Sequence, residues 1–147
     1  MAQGDLTVFD EGKLAVLEEY WNSTDEIWIG IVTDVCLVTD PIPAYAAGGT
    51  TNYTAIATAG NYAAGGLLLD TLGAMLTEVD GVVSFKDTGA DVSWAMHASN
   101  PDNGDHAVVY HKTSGLCIAM IDLDGPVIMS TGTLTITWNA SGIYTLT

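Results

Sequence analysis

Three histidines, His97, His106 and His111, share one region of this 147-residue chain with Asp102, Asp105 and Cys117, the side-chain types that ligate transition metals. Their spacing argues against a metal centre. Along one strand, the odd step from His106 to His111 places the two imidazoles on opposite faces. The HxxxH and CxxC spacings of zinc sites are absent. Residues 100–106, NPDNGDH, carry the acids of a calcium loop without the EF-hand order or a distal bidentate Glu, so they read as a polar turn, with weak Ca²⁺ binding as the minor alternative. Hydrolysis has no better footing. Carboxylates are plentiful but form no distinctive pair, and there is no GxSxG, no Ser/His/Asp order and no glycine-rich loop ending in Gly-Lys-Ser/Thr. The absence of arginine also removes the bidentate anion clamp. The chain is therefore not read as an enzyme, and no catalytic residue, cofactor or metal is expected. Trp21, Trp28, Trp94 and Trp138, with six tyrosines, offer stacking platforms for sugars, but aromatics in strands more often anchor cores and interfaces. Asn22, Asn52 and Asn139 head glycosylation-type triplets and are read as turn residues.

Composition narrows the partners. Eighteen Asp and Glu stand against Lys13, Lys86 and Lys112, a formal charge of −15. Nucleic-acid affinity rests on Lys and Arg that displace counterions from phosphates, so neither nucleic acid nor an anionic membrane is an expected partner. With 48% hydrophobic and 14% charged residues the chain should fold, as one domain over residues 1–147. Cys36 and Cys117 belong to no CxxC pair; two buried thiols are expected, a disulfide being the alternative. The opening residues lack a basic and apolar leader and no apolar run suits a membrane span, so synthesis in a cytoplasm is expected.

The elements that would position these residues are mostly strands. Leu14, Leu17 and Trp21 predict one short helix over residues 10–21, with Asp10 and Glu11 at its positive end. EIWIGIVT alternates Ile27, Ile29 and Ile31 against Trp28, Gly30 and Val32, which predicts a strand covered on both faces. Residues 41–69 carry no charge and are broken by Pro41, Pro43, Gly48-Gly49 and Gly65-Gly66. They predict a long loop with a short strand at Tyr53 to Ala57, packed either on its own domain or on a neighbouring subunit. From residue 67 to 147, short apolar runs separated by Gly, Asp, Asn and Pro have the spacing of a sandwich or barrel, although Leu67 to Val79 also fits a second short helix. The last fourteen residues, LTITWNASGIYTLT, read as a hairpin with Leu134, Ile136 and Trp138 facing the core and the Thr face covered by a neighbouring strand or subunit. The expected fold is all-β, a β-sandwich or jelly-roll-like module with one short N-terminal helix.

GDLTVFDEGK near the start, GNYAAGGLLLDTLG in the middle and LDGPVIMSTGTLTITWNASGIYTLT at the end together resemble a family of small virion structural proteins of tailed phages. The resemblance runs in order over most of the chain and rests on Gly, aromatic and strand residues, with no catalytic signature. It implies an assembly role on the virion, most simply capsid cement or decoration at the capsid surface. A neck, tail or fibre component is the first alternative, and a carbohydrate-binding module, read from the aromatics, the second. The implied partners are the major capsid protein or other virion proteins and further copies of the chain, with a homotrimer suggested by virion geometry. On this reading the contact segments are the N-terminal arm, residues 1–21, and the uncharged loop. Leu6, Val8, Phe9, Tyr45, Tyr53, Ile56 and Tyr62 are the candidate interface residues.

Overall fold

The computed structural model describes residues 6–8, 22–33, 45, 53–80, 82–87, 89, 91–139 and 142–146, the last three by backbone alone. The predicted helix over residues 10–21, Phe9 and most of residues 34–52 lie outside the described residues.

The described chain is all-β and antiparallel. Its strands are β1 (Leu6–Val8), β2 (Glu26–Val32), β3 (Leu67–Thr71), β4 (Leu76–Val79), β5 (Val82–Phe85), β6 (Val92–Trp94), β7 (Gly104–His111), β8 (Cys117–Val127), β9 (Leu134–Ile136) and β10 (Tyr144–Leu146). One helical turn, α1 (Leu72–Met75), joins β3 to β4. Thus residues 67–79, open between strand and helix in sequence, use both. Leu72 and Met75, three apart, turn inward, and the amides of Leu72 and Gly73 donate to the carbonyls of Asp25 and Ser23 at 2.8 Å each.

The main sheet has the order β1-β8-β7-β2-β3, with β2 interior as its two apolar faces demand. Ile27, Ile29 and Ile31 have no exposed surface and share a core with Ala107 and Val109 of β7. Phe85, Trp94 and Ile136 close that core from two smaller sheets, β10-β5-β4 and β6-β9. This is sandwich layering: each small sheet buries one face on the large one. On the opposite side, Val32, Val108, Tyr110, Cys117 and Met120 form a second buried cluster, roofed by Tyr45 and Tyr53.

The C-terminal stretch departs from the expected hairpin. Its turn forms, with the Gly142 amide donating to the Asn139 carbonyl at 2.8 Å and Gly142 at φ +81°. The two strands nevertheless separate: β9 pairs with β6, whereas β10 pairs with β5. The Ile143 amide already donates to the Phe85 carbonyl at 2.8 Å, so the edge of β5 captures the chain as it leaves the turn. Ile136 is buried and Leu134 and Trp138 pack on the core as the alternation predicts, while Thr135 and Thr137 are exposed.

Candidate interaction surface

The residues predicted to meet a partner divide sharply. Leu6 is 37% exposed on β1, and Val8 packs partly buried against the core. Tyr45, Tyr53, Ile56 and Tyr62 are 0–4% exposed and present no surface to a partner. These four side chains line the protein's own interior. The Tyr45 ring stacks on Tyr110 at 4.2 Å and lies so close over Gly30 that a Cβ there would come within 2.8 Å of it. Tyr62 accepts a hydrogen bond from the Ile31 amide at 2.9 Å, and Tyr110 donates one to the Gly65 carbonyl at 2.8 Å. Burial pushes all three hydroxyls to higher pKa, and for Tyr62 and Tyr110 the proximity of Tyr45 adds to it. The expected strand at Tyr53 to Ala57 reduces to one bridge, Ala55 to Val32.

The candidate chemical groups are dispersed. His97 lies in a loop, where Nδ1 accepts the Ser99 amide at 3.1 Å. His106 Nε2 stands 4.0 Å from Asp122, and His111, at the far end of β7, stands 3.1 Å from Asp25. Among the described residues no group of three His, Cys, Asp or Glu is arranged to hold a metal ion. Cys117 is buried, 1% exposed, and Cys36 lies outside the described residues. One grouping escaped the sequence: Asp25, His111 and Ser114, with Ser114 Oγ 2.7 Å from His111 Nδ1. Its hydrogen bonds are those of a locked turn. The Ser114 amide donates to the same Nδ1 at 3.2 Å, and Ser114 Oγ accepts the Leu116 amide at 3.3 Å. The Asn22 amide, with His111, holds the Asp25 carboxyl below its ordinary pKa. Nor do the tryptophans form an open platform. Trp94 is 2% exposed, Lys112 Nζ covers the Trp28 ring at 3.8 Å, and Trp138 is half-buried with its indole N–H donating to Asp87 at 3.1 Å. Trp21 lies outside the described residues.

The surface with the features of a docking site is built by three loops, residues 57–64, 95–103 and 128–133. Asn100 ties them together. Though polar it is only 6% exposed; its Oδ1 accepts the Asn61 amide at 2.6 Å, and its Nδ2 donates to the carbonyls of Ala95 at 2.9 Å and Met129 at 3.2 Å. Further bonds run from the Met96 amide to Thr133 Oγ1 at 3.3 Å and from the Ser130 amide to Asp102 Oδ1 at 2.7 Å. The Ser130 hydroxyl also donates to Asp102, and together these bonds depress that carboxyl's pKa. Gly60, at φ +59°, meets Asn100 where a Cβ would stand, so the first loop can approach only with glycine there.

On this tied platform Met96 and Ile128 stand 54% and 53% exposed. Asp102 is the one acidic residue of the three loops, which hold no lysine, on a chain of net charge −15. Apolar anchors on hydrogen-bond-tied loops with a single carboxylate can be covered by a partner with little desolvation of charge and little ordering cost.

No family model, curated protein or solved structure matches this chain.

Proposed function

We propose that the protein is a structural component of a tailed-phage virion, a capsid cement or decoration protein that binds the major capsid protein at the capsid surface and stabilises the shell. The likeness of its sequence to small virion proteins supplies the class. The observation that carries the docking role is the exposure of Met96 and Ile128 on tied loops that hold one carboxylate, on a strongly acidic chain. Covering each of these side chains is worth roughly 1.5–3 kcal/mol at most, before association costs are subtracted. Such a contact is modest alone and becomes effective when copies act together over a symmetric shell. A closed homo-oligomer, with a trimer as the form that shell geometry favours, belongs to the same reading.

The test is the abundance of this chain relative to the major shell protein in purified particles, by quantitative mass spectrometry. A ratio of the same order supports cement or decoration. A ratio of a few per hundred moves the protein to the neck, tail or fibre, and absence from particles overturns the virion reading. Particles stripped of the protein and supplied with the Met96→Asp, Ile128→Asp double variant should bind much less of it than of the unaltered chain.

A further inference from the structure

The chain has five methionines, of which Met75, Met96, Met120 and Met129 are among the described residues. Three of these are sealed: Met75 has no exposed surface, and Met120 and Met129 are 1% exposed within the two buried clusters. Met96 is 54% exposed. Its backbone is nevertheless held from both sides, the amide donating to Thr133 Oγ1 at 3.3 Å and the carbonyl accepting from Asn61 Nδ2 at 3.4 Å. The next residue is tied as well, with the His97 amide donating to the Met129 carbonyl at 3.4 Å. An exposed thioether on a held backbone can change chemically without displacing the loops that carry it. The buried methionines cannot, since an oxygen added to any of them would force a polar group into close-packed apolar surroundings. Access therefore singles out one sulfur of the four, and it is the one that stands on the docking face.

We propose that Met96 is an oxidation site and that its conversion to the sulfoxide releases the protein from its docking partner. The inference rests on the loop-face reading and names how that face is regulated. The oxidant is hydrogen peroxide. A lone pair of the Met96 sulfur attacks one peroxide oxygen; an S–O bond forms, the O–O bond breaks, and the second oxygen leaves as water carrying both protons. Sulfur loses two electrons and the peroxide gains them. The product is a polar sulfoxide where the apolar anchor stood. Covering the thioether with a partner is favourable, whereas covering the sulfoxide against a surface without a matching donor is costly. One oxygen atom thus reverses the sign of this contact and leaves that of Ile128 as it was. The return step uses a thiol reductant: two thiols become a disulfide, the oxygen leaves as water, and the thioether is restored.

The full chain is treated with dilute hydrogen peroxide, and each methionine is followed by peptide mass spectrometry. Met96 should gain one oxygen at least about tenfold faster than Met75, Met120 or Met129. The singly oxidised protein should keep the circular dichroism and the urea midpoint of the parent. Its affinity for particles stripped of the protein should fall by about tenfold, and methionine sulfoxide reductase with dithiothreitol should restore it. Met96→Leu is the control: whatever its starting affinity, peroxide should remove none of it. The proposal is overturned if the buried methionines oxidise as fast as Met96, or if the singly oxidised chain is destabilised. It is overturned equally if oxidised and untreated chains bind alike, or if peroxide weakens Met96→Leu as much as the parent. Failure of the untreated chain to bind stripped particles is a separate result, which overturns the loop-face reading and the switch with it.

Discussion

Replacing Asn100 with Ala tests whether one side chain holds the three-loop platform together. The substitution removes three hydrogen bonds, one accepted from Asn61 and two donated to Ala95 and Met129. A typical intramolecular hydrogen bond contributes about 1 kcal/mol net, and a buried group left without its partner costs about 1–3 kcal/mol. Asn61 and Ala95 lie at the exposed rim and regain water, whereas Met129 is 1% exposed and its carbonyl loses a buried donor. The expected loss is about 2–4 kcal/mol, read from urea unfolding followed by tryptophan fluorescence. In a chain of this size it corresponds to a melting temperature lower by roughly 5–12 °C. Asn100→Asp sharpens the test. The introduced carboxylate still accepts from Asn61 but turns negative oxygen toward two carbonyls, so near neutral pH it should cost at least as much as Ala. Burial raises its folded pKa above the unfolded value, so the deficit should shrink as pH falls and the carboxyl regains a proton to donate. Gly60→Ala, which drives a methyl against Asn100 from a left-handed backbone position, should cost about as much. A loss below about 1 kcal/mol for Asn100→Ala, or an Asn100→Asp variant as stable as the parent at neutral pH, would refute the reasoning.

Raised pKa values at Tyr45, Tyr62 and Tyr110 mean that their contribution to stability is complete below the ordinary value of 10.0 and is lost as pH rises through the folded values. Absorbance titration at 295 nm should therefore show these three ionising only together with alkaline unfolding, and three independent transitions near pH 10 in the folded protein would contradict it. The depressed pKa of Asp102 has the opposite sign: its contribution is present above 3.8 and lost as pH falls through the folded value, so Asp102→Asn should flatten the acid limb of the stability profile. Gly30→Ala should destabilise by about 1–3 kcal/mol through its clash with the Tyr45 ring, and an additional Tyr45→Leu should recover part of that loss. Deleting residues 139–147 strips β10 from β5 and removes Ile143, 4% exposed, from the core, and should yield insoluble protein; a soluble, cooperatively unfolding truncation would make the segment dispensable to the fold.

Local pattern carried the strand reading where one periodicity dominated. The alternation at Ile27, Ile29 and Ile31 defined an interior strand because both of its faces are apolar, and the structure covers both. Polarity within residues 41–69 could not separate interior from interface, since Ala, Thr and Tyr suit either. For Tyr45 and Tyr62 what decides it is geometry across long separations, with the Tyr62 hydroxyl reaching Ile31 and the Tyr45 ring seated on Gly30. Asn100 was hidden for a related reason. In NPDNGDH it has the type and context of an ordinary turn residue, while its partners Asn61 and Met129 stand 39 and 29 positions away. Met96 and Ile128 each looked like one more apolar residue in a strand run, and their exposure depends on where β6 and β8 end.

The separation of β9 from β10 governs how the module can open. Had the last two strands paired with each other, as the Asn139 to Gly142 turn suggested, β5 and β6 would have lacked these neighbours and the final segment could have peeled away as a unit. Pairing them with different sheets ties the C-terminus to both covers of the core, through Ile136 on one side and Ile143 on the other. Opening either cover then requires disrupting the same buried cluster, which raises the cooperativity expected of the module.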